Sequence, residues 1–264
     1  MSLRLGAVSF LNSRPLTVAL EGHREDFALE YAVPSRCAAD LHRGAVDVGL
    51  IPAIEYLRGP EPYCIVPNVA VGCRGPVLTV RLFFREEPGP VRRLALDSAS
   101  RTSAVLARLL LKERYGSEPE EVEVGADLDR ALQRADAALL IGDPVFSALE
   151  GNWVSLDLGQ AWFEWTGLPF VFAFWAGRPG VLDAAGVQSL VEARRLGEGR
   201  RAAIAQAFAA ANGGDADLYR RYLEEHIRFD LDAEAVEGLR LFYRLARENR
   251  LVDRVPRLEF YPAA

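Results

Sequence analysis

The sequence predicts an α/β protein of two lobes, each lobe a mainly parallel sheet flanked by helices. Short apolar runs alternate with helical segments over most of residues 3–141, which is the order that builds parallel sheets with crossover helices. A stretch rich in Pro and Gly at residues 86–90 divides this alternation into two blocks. At 264 residues, the chain is long enough to form two hydrophobic cores.

The first block contains three predicted pairs of a strand and a helix. The strands are expected at residues 3–10, 27–33 and 46–51, and the helices at 12–20, 37–42 and 53–57. Asn12, Ser13 and Pro15 supply the cap and the first turn of the first helix. Sheets of this kind bind ligands at the carboxyl ends of their strands, so we expect the turns at Asn12 and Pro52 to face one cleft.

The second block is a smaller version of the same pattern. Its strands are expected at residues 93–96, 122–124 and 137–141, and its helices at 104–115 and 127–133. A short strand follows at residues 154–158, and we assign the strongly apolar run at 168–175 to the sheet of the first block. The larger lobe is therefore expected to comprise residues 1–86 and 169–264, and the smaller lobe residues 87–168, with a ligand cleft between them.

The rest of the chain is predicted to be helical. The helices are expected at residues 184–212, 218–226 and 233–249. Such a tail can pack on the first lobe or form a contact between two copies of the chain. We place these helices on the first lobe and leave a homodimer open as a second role for them.

Charge and composition exclude several classes of function. The chain has 37 acidic against 31 basic residues and a net charge of −6, so no overall basic surface favours nucleic acid or an anionic membrane. No apolar run reaches the ~20 residues of a membrane-spanning helix. The chain starts without a signal-peptide pattern and its three cysteines form no C-x-x-C pair, so we expect a cytoplasmic protein.

The segment LDSASRTS at residues 96–103 is the most informative candidate site. It follows a predicted strand and opens a long helix, whose first turn has unpaired N–H groups and a positive dipole end. The hydroxyls of Ser100, Thr102 and Ser103 and the guanidinium of Arg101 add donors, so the segment predicts a site for a carboxylate or a phosphate. The alternative is capping of the helix by one serine. No glycine-rich nucleotide motif accompanies the segment.

Other polar residues follow predicted strands at the same edge. Asn12 follows the first strand, and Pro52 and Glu55 follow the third. Asp143 follows the last strand of the second block. Each also has a structural interpretation, because Asn12 can cap a helix, Glu55 can face a helix dipole and Asp143 can form a turn. The histidines have no metal-ligand spacing and no nucleophile elbow is present, so neither a bound metal nor a catalytic triad is expected.

Six longer segments occur in a characteristic order. They are SFLNSRPL (9–16), LHRGAVDVGLIPAIEYL (41–57), GPVLTVRLFFR (75–85), LALDSASRTS (94–103), ALLIGDPVF (138–146) and DLGQAWFEWTGLPFVFAFWAGR (157–178). This set resembles the menaquinone-biosynthesis family of the futalosine route. Within that family, the chain is more similar to the branch that dehydrates chorismate than to the sibling branch that makes 1,4-dihydroxy-6-naphthoate.

The resemblance implies a fold, an activity and a set of cleft residues. The fold is like that of type II periplasmic binding proteins, with the substrate held between two α/β lobes. The activity is conversion of the small anion chorismate to 3-[(1-carboxyvinyl)oxy]benzoate and water, without a known cofactor. The cleft residues that match the family motifs are Asn12, Ser13, Thr79, Ser100, Arg101, Thr102 and Ser103, beside which we place Pro52. The resemblance leads us to expect Ser as often as Thr at position 79, and Ser at position 99, where this chain has Ala.

The chemistry of this substrate defines what such a site must do. The ring carboxylate activates the C3 hydrogen through the adjoining double bond, so removal of that hydrogen gives an extended enolate. The enolate expels the C4 hydroxyl and the ring becomes aromatic. Donors at Arg101 and the neighbouring helix start would stabilise the developing charge. The candidate bases are Asp143, Glu55 and the substrate's own enolpyruvyl carboxylate, with Asn12 positioning the leaving hydroxyl.

Two other functions remain open at this stage. One is the sibling naphthoate-forming activity, which uses the same fold. The other is a non-catalytic protein that binds a small anion, because a fold by itself does not determine a function.

Overall fold

The computed structural model describes residues 2–23, 25–125 and 127–262, and these residues form two five-stranded sheets flanked by helices. In chain order the strands are β1 (Leu3–Val8), β2 (Phe27–Ala32), β3 (Val48–Pro52), β4 (Cys64–Cys73), β5 (Val80–Phe84), β6 (Arg93–Leu96), β7 (Glu120–Glu123), β8 (Ala137–Ile141), β9 (Ser155–Asp157) and β10 (Phe170–Gly177). The predicted α/β class is confirmed.

The two sheets have the same plan. The first has the order β2-β1-β3-β10-β4 and the second the order β7-β6-β8-β5-β9. In each, the first three strands are parallel and the fourth is antiparallel to both of its neighbours. Within the described residues, each sheet is therefore mixed, with four strands in one direction and one reversed strand, and the predicted parallel pairing holds for its first three strands.

The chain passes to the second sheet earlier than the Pro- and Gly-rich stretch suggests. Strand β5 pairs along its whole length with β8, from Val80 opposite Ile141 to Phe84 opposite Ala137. The crossing therefore lies at residues 74–79, and residues 86–90 are a loop between β5 and β6. This corrects the expected boundary at residues 86 and 87. The reason is that Phe83 belongs to the second core, beside Ala138 and Leu140.

Helices cover both sheets. They are α1 (Arg14–Thr17), α2 (Pro34–His42), α3 (Glu55–Arg58), α4 (Thr102–Tyr115), α5 (Leu128–Arg134), α6 (Pro144–Ala148), α7 (Leu158–Thr166), α8 (Ala184–Glu198), α9 (Arg201–Asn212), α10 (Ala216–Arg221) and α11 (Ala233–Glu248). Short 3-10 turns occupy Leu11–Ser13 and Leu20–Gly22, and a π-helical turn occupies Tyr222–His226. No helix in the described part of the chain is long and apolar enough to cross a membrane.

The C-terminal helices pack on the first lobe, as expected. Helix α8 contacts β4 and α1, and α11 contacts β10. The inner face of α11 is apolar, with Phe242 and Tyr243 fully buried in the larger core. Helix α11 also contacts α4 of the second lobe, so the C-terminal region braces the two lobes against each other.

Candidate active site

A cleft lies between the two sheets, at the strand ends where the sequence predicts it. The centre of a water-sized sphere can occupy about 60 Å³ of it, and the cleft is partly open to solvent. One wall comes from the turn after β1, the end of β3 and the middle of β10, and the other from the start of β5, the turn before α4 and the end of β8. Much of the surface is apolar, including Leu50, Val77, Val80, Ile141 and Phe172. An apolar lining with a few polar groups is typical of sites for small organic ligands.

The turn after β1 is fixed by Ser13. The Ser13 side chain is fully buried, and its hydroxyl lies within hydrogen-bond distance of the carbonyls of Val8 and Phe10, the latter at 2.7 Å, so its single proton goes to one of these two backbone acceptors. Because its proton is used by the backbone, Ser13 can only accept from a ligand, although it lines the cleft. The neighbouring Asn12 also lines the cleft and is half-buried. The turn therefore presents Asn12 as its main polar group.

The turn before α4 leaves the helix start without a side-chain cap. Asp97 organises this turn, because its carboxylate accepts the N–H of Ala99 at 3.1 Å and its carbonyl accepts the N–H of Ser100 at 2.9 Å. The alternative interpretation, capping of α4 by one serine, is wrong. An uncapped first turn retains unpaired N–H groups that favour an anion.

Three residues of this turn have distinct environments. Thr102 accepts the backbone N–H of Ile54 through its hydroxyl at 3.2 Å, which joins the two walls of the cleft. The Ser100 hydroxyl is buried and has no hydrogen-bond partner among the described residues. Arg101 is exposed, lines the cleft and forms no ion pair within the described part of the chain. Its guanidinium is therefore available to a ligand.

Thr79 lies at the back of the cleft, between the lining residues Val77 and Val80. It is fully buried, and its hydroxyl lies 2.6 Å from the hydroxyl of Tyr222. The sequence gives no local sign of this contact, because Tyr222 is one apolar position of the helix predicted at 218–226. The feature that marks Tyr222 is structural: it is the first residue of the π-helical turn.

Asp143 and Glu55 lie near the cleft but do not line it. The Asp143 carboxylate accepts the N–H of Leu11, and burial, partly offset by this bond, raises the pKa of Asp143 to about 6. Glu55 is buried and forms an ion pair with Arg58 at 3.0 Å. Both carboxylates are thus engaged with protein groups.

The candidate residues divide into three groups by position. Those that line the cleft are Asn12, Ser13, Pro52, Arg101, Thr102 and Ser103. Thr79 and Ser100 are buried beside lining residues, and Glu55 and Asp143 are turned to other partners. Among the residues that the structure describes, no cluster of three or more His, Cys, Asp or Glu side chains could hold a metal ion.

Comparison with solved structures identifies the architecture. A protein from Archaeoglobus fulgidus covers 95% of this chain and 98% of its own, with a TM-score of 0.76 and 19% identity. The periplasmic aliphatic sulphonate binding protein from Escherichia coli covers 100% of this chain and 94% of its own, with a TM-score of 0.68 and 19% identity. The fold is therefore the two-lobed fold of periplasmic binding proteins, as the resemblance implied.

Comparison of sequences identifies the family. A curated relative, the chorismate dehydratase of Thermus thermophilus, is 34% identical over 257 residues, which cover 90% of this chain and 93% of the relative. The family model described as menaquinone biosynthesis matches residues 3–248, nearly the whole chain. Both the cleft motifs and the C-terminal helices lie within this match. The chain belongs to the menaquinone-biosynthesis family.

Proposed function

We propose that this protein is a chorismate dehydratase that acts in menaquinone biosynthesis. It would convert chorismate to 3-[(1-carboxyvinyl)oxy]benzoate and water, which makes it a carbon–oxygen lyase. The observation that carries the proposal is the cleft itself, an apolar slot with Arg101 and an uncapped helix start on one wall and Asn12 on the other. The curated dehydratase relative supports the choice of substrate.

The ring carboxylate of chorismate fits the start of α4. The N–H groups of the first turn and the guanidinium of Arg101 favour an anion there, and the hydroxyls of Thr102 and Ser103 lie beside it. Negative charge grows on this carboxylate and its ring as the C3 proton leaves. Donors that are already in place interact more strongly with the enolate than with the ground state, and this difference lowers the barrier.

The elimination balances without any further reactant. A base takes the C3 proton, the electron pair forms the extended enolate, and the enolate then expels the C4 hydroxyl. The departing hydroxide and the removed proton together make the water that is released. We assign Asn12 to the leaving hydroxyl, because its amide is the main polar group of the facing wall. No cofactor takes part in this proposal.

The substrate's own enolpyruvyl carboxylate is the base that we favour. Asp143 is held by the Leu11 N–H and Glu55 by Arg58, and neither side chain lines the cleft. A carboxylate attached to C3 through the ether oxygen is already close to the C3 hydrogen when the ring is bound. Such substrate assistance replaces a protein base by proximity.

The direct test is incubation of the purified, metal-stripped protein with chorismate, followed by mass spectrometry. We expect a product lighter by one water that keeps the enolpyruvyl ether. Chorismate that is bound but unchanged would contradict the proposal and favour a small-anion-binding protein, the function of several proteins with this fold. Chorismate that is neither bound nor changed would favour the sibling naphthoate-forming reaction, which ring-opened futalosine then tests. This experiment does not test the cytoplasmic location of the protein or the formation of a homodimer, and both remain predictions from the sequence.

A further inference from the structure

Two segments connect the lobes, and the carboxylate of Asp157 binds to both of them. The first segment is the crossing at residues 74–79, and the second is α7, which leads from β9 in one sheet to β10 in the other. The Oδ1 atom of Asp157 accepts the N–H of Val77 at 3.1 Å and that of Gln160, in α7, at 3.0 Å. Its Oδ2 atom accepts the N–H of Leu78 at 2.8 Å. We call this set of bonds the clasp, because one carboxylate ties the two connections together.

Burial and close packing hold the clasp together. The Asp157 side chain is only 8% exposed, and its charge is balanced by Arg81, whose Nη1 atom lies 3.3 Å from Oδ2. The two connecting segments also touch each other, because a Cβ added to Gly159 of α7 would lie 2.7 Å from the carbonyl oxygen of Gly75. The carboxylate is therefore shut off from water, and its hydrogen bonds go to groups of the protein.

The clasp holds a strained turn. Leu78 has a φ of +67°, and the N–H of Thr79 donates to the carbonyl of Val77 at 2.8 Å, so residues 77–79 form a γ-turn of the rare, strained form with a positive φ. A leucine side chain has no polar atom that could stabilise this conformation locally. Such strain persists only where the surrounding structure holds it. Asp157 does so here, because it accepts the N–H groups of both Val77 and Leu78.

The strained turn forms part of the cleft wall. Val77 and Val80 line the cleft, and Thr79 lies between them with its hydroxyl 2.6 Å from that of Tyr222. If Leu78 relaxed to a negative φ, the path of the chain through this segment would change and both valines would move. The shape of the wall therefore depends on Asp157, although Asp157 does not itself line the cleft.

We propose that Asp157 is a positioning residue for this reaction, which holds the strained turn at Leu78 and so fixes the wall formed by Val77 and Val80. This inference rests on the proposed function for its chemical meaning. A displaced wall weakens the binding of the substrate ring and misplaces it against the groups on the facing wall. The strain makes the wall sensitive to the clasp, because loss of the clasp leaves Leu78 free to move to a conformation of lower energy.

The kinetic test compares Asp157→Asn with Asp183→Asn. Asparagine keeps one accepting oxygen that can cap α7, but its NH₂ group cannot accept the N–H of Leu78. For Asp157→Asn we expect KM for chorismate to rise about 10-fold, because a displaced wall weakens ground-state and transition-state binding alike. Partial unfolding cannot imitate this result, since it lowers the apparent kcat and leaves the KM of the folded fraction unchanged.

Asp183 is the matched control. It caps α8 by accepting the N–H of Gly186 at 2.8 Å, and within the described part of the chain its side chain bonds to no second segment. Asp183→Asn should therefore keep KM within about 2-fold of the wild type. Equal KM values in Asp157→Asn and the wild type would overturn the proposal.

Substitution of Leu78 tests whether Asp157 acts through the strained turn. Glycine adopts a positive φ without strain, so in a protein that carries Leu78→Gly the change Asp157→Asn should raise KM less than about 3-fold. Leu78→Ala is the control background, because alanine also lacks the leucine side chain but keeps the strain. There, Asp157→Asn should still raise KM about 10-fold. Equal effects in the two backgrounds would mean that the strain plays no part, and the positioning role would be rejected.

A third readout does not depend on the activity. The backbone N–H groups of residues 77–79 are all hydrogen-bonded in the clasp and its turn, so hydrogen exchange measured by mass spectrometry reports on them directly. Exchange in peptides that cover this segment should be faster in Asp157→Asn than in the wild type, and unchanged in Asp183→Asn. Unchanged exchange in both variants would reject the clasp itself. If the wild-type protein leaves chorismate unchanged, the proposed function fails while this comparison still decides whether Asp157 holds the turn.

Discussion

The carboxylate of Asp143 accepts the backbone N–H of Leu11 at 3.0 Å and so joins the end of β8 in the second sheet to the turn after β1 in the first. The adjoining Gly142 donates its backbone N–H to the carbonyl of Thr79 at 2.9 Å, which extends the pairing of β8 with β5 to the edge of the cleft. The position of Asn12 in the cleft therefore depends on a bond made by its neighbour to the opposite lobe.

Burial of the Asp143 carboxyl should make stability depend on pH. Burial raises the pKa of Asp143 from 3.8 to about 6, so the folded protein binds this proton more tightly than the unfolded chain. The contribution of this bound proton to the free energy of unfolding is fully present below about pH 4 and is lost as the pH rises through about 6. Asp143→Asn should remove this decline and stabilise the protein at pH 7 by at most about 3 kcal/mol.

Urea unfolding at several pH values measures this effect, with Asp136→Asn as a control of opposite sign. Although burial acts to raise it, the pKa of Asp136 is lowered by the N–H groups of Arg93 and Arg92 and by the Arg85 guanidinium. Removing Asp136 should therefore cost stability above about pH 4. Identical pH profiles for Asp143→Asn and the wild type would contradict the prediction.

Turnover should survive the loss of either protein carboxylate near the cleft. Because Asp143 and Glu55 face Leu11 and Arg58, we expect Asp143→Asn and Glu55→Gln to keep kcat for chorismate within about 3-fold. Asn12→Ala is the positive comparison and should lower kcat about 10-fold or more. A fall of about 10²-fold in either carboxylate variant would transfer the role of base from the substrate to that residue.

Gly142 should not tolerate a side chain. Its φ is +71°, and an added Cβ would lie 2.6 Å from the ring of Phe10, which lines the cleft. Gly142→Ala should therefore destabilise the protein by about 2–4 kcal/mol and weaken substrate binding. Gly116→Ala separates the cost of the positive φ from the cost of the contact with Phe10, because Gly116 has a φ of +61° with no atom near the added Cβ. Calorimetry should show a smaller loss for Gly116→Ala, and equal losses would exclude the contact with Phe10.

Arg101 should contribute to binding through its charge. Arg101→Ala should raise KM about 10- to 100-fold, the loss expected for a charge-assisted hydrogen bond, and the effect should shrink at high salt. Arg108→Ala is the control, because Arg108 lies on the same helix and is already paired with Glu121. If both variants keep the wild-type KM, the ring carboxylate is held elsewhere in the cleft.

Local patterns predicted much of the fold. The strands expected at 93–96 and 137–141 coincide with β6 and β8, and the run expected at 168–175 is β10 shifted by two residues. These strands are short apolar runs between clear turns, so the pattern is complete within each segment. By contrast, local patterns predict no strand at β4 or β5. In β4, Pro67 and the positive φ of Asn68 interrupt the alternation, and its partner β10 lies about a hundred residues away.

The candidate site was predictable where a single segment forms it. The uncapped turn before α4 and the turn at Asn12 both follow strands that the sequence predicts, and both line the cleft. The hydrogen-bond partners of the residues beside the cleft were not predictable from the sequence. Asp143 bonds to Leu11 across 132 residues and Thr79 to Tyr222 across 143, and no local pattern records such pairs.

The sequence by itself determined the fold class, the family and the segments that carry the polar groups of the cleft, because apolar periodicity and short motifs are local properties. Only the tertiary structure decided which of those groups face the cleft. Ser13 is turned to the backbone, Glu55 to Arg58 and Asp143 to Leu11, while Asn12 and Arg101 remain available. The reason is physical, since a buried polar group must find a partner, and that partner is chosen by the packing of segments far apart in the chain.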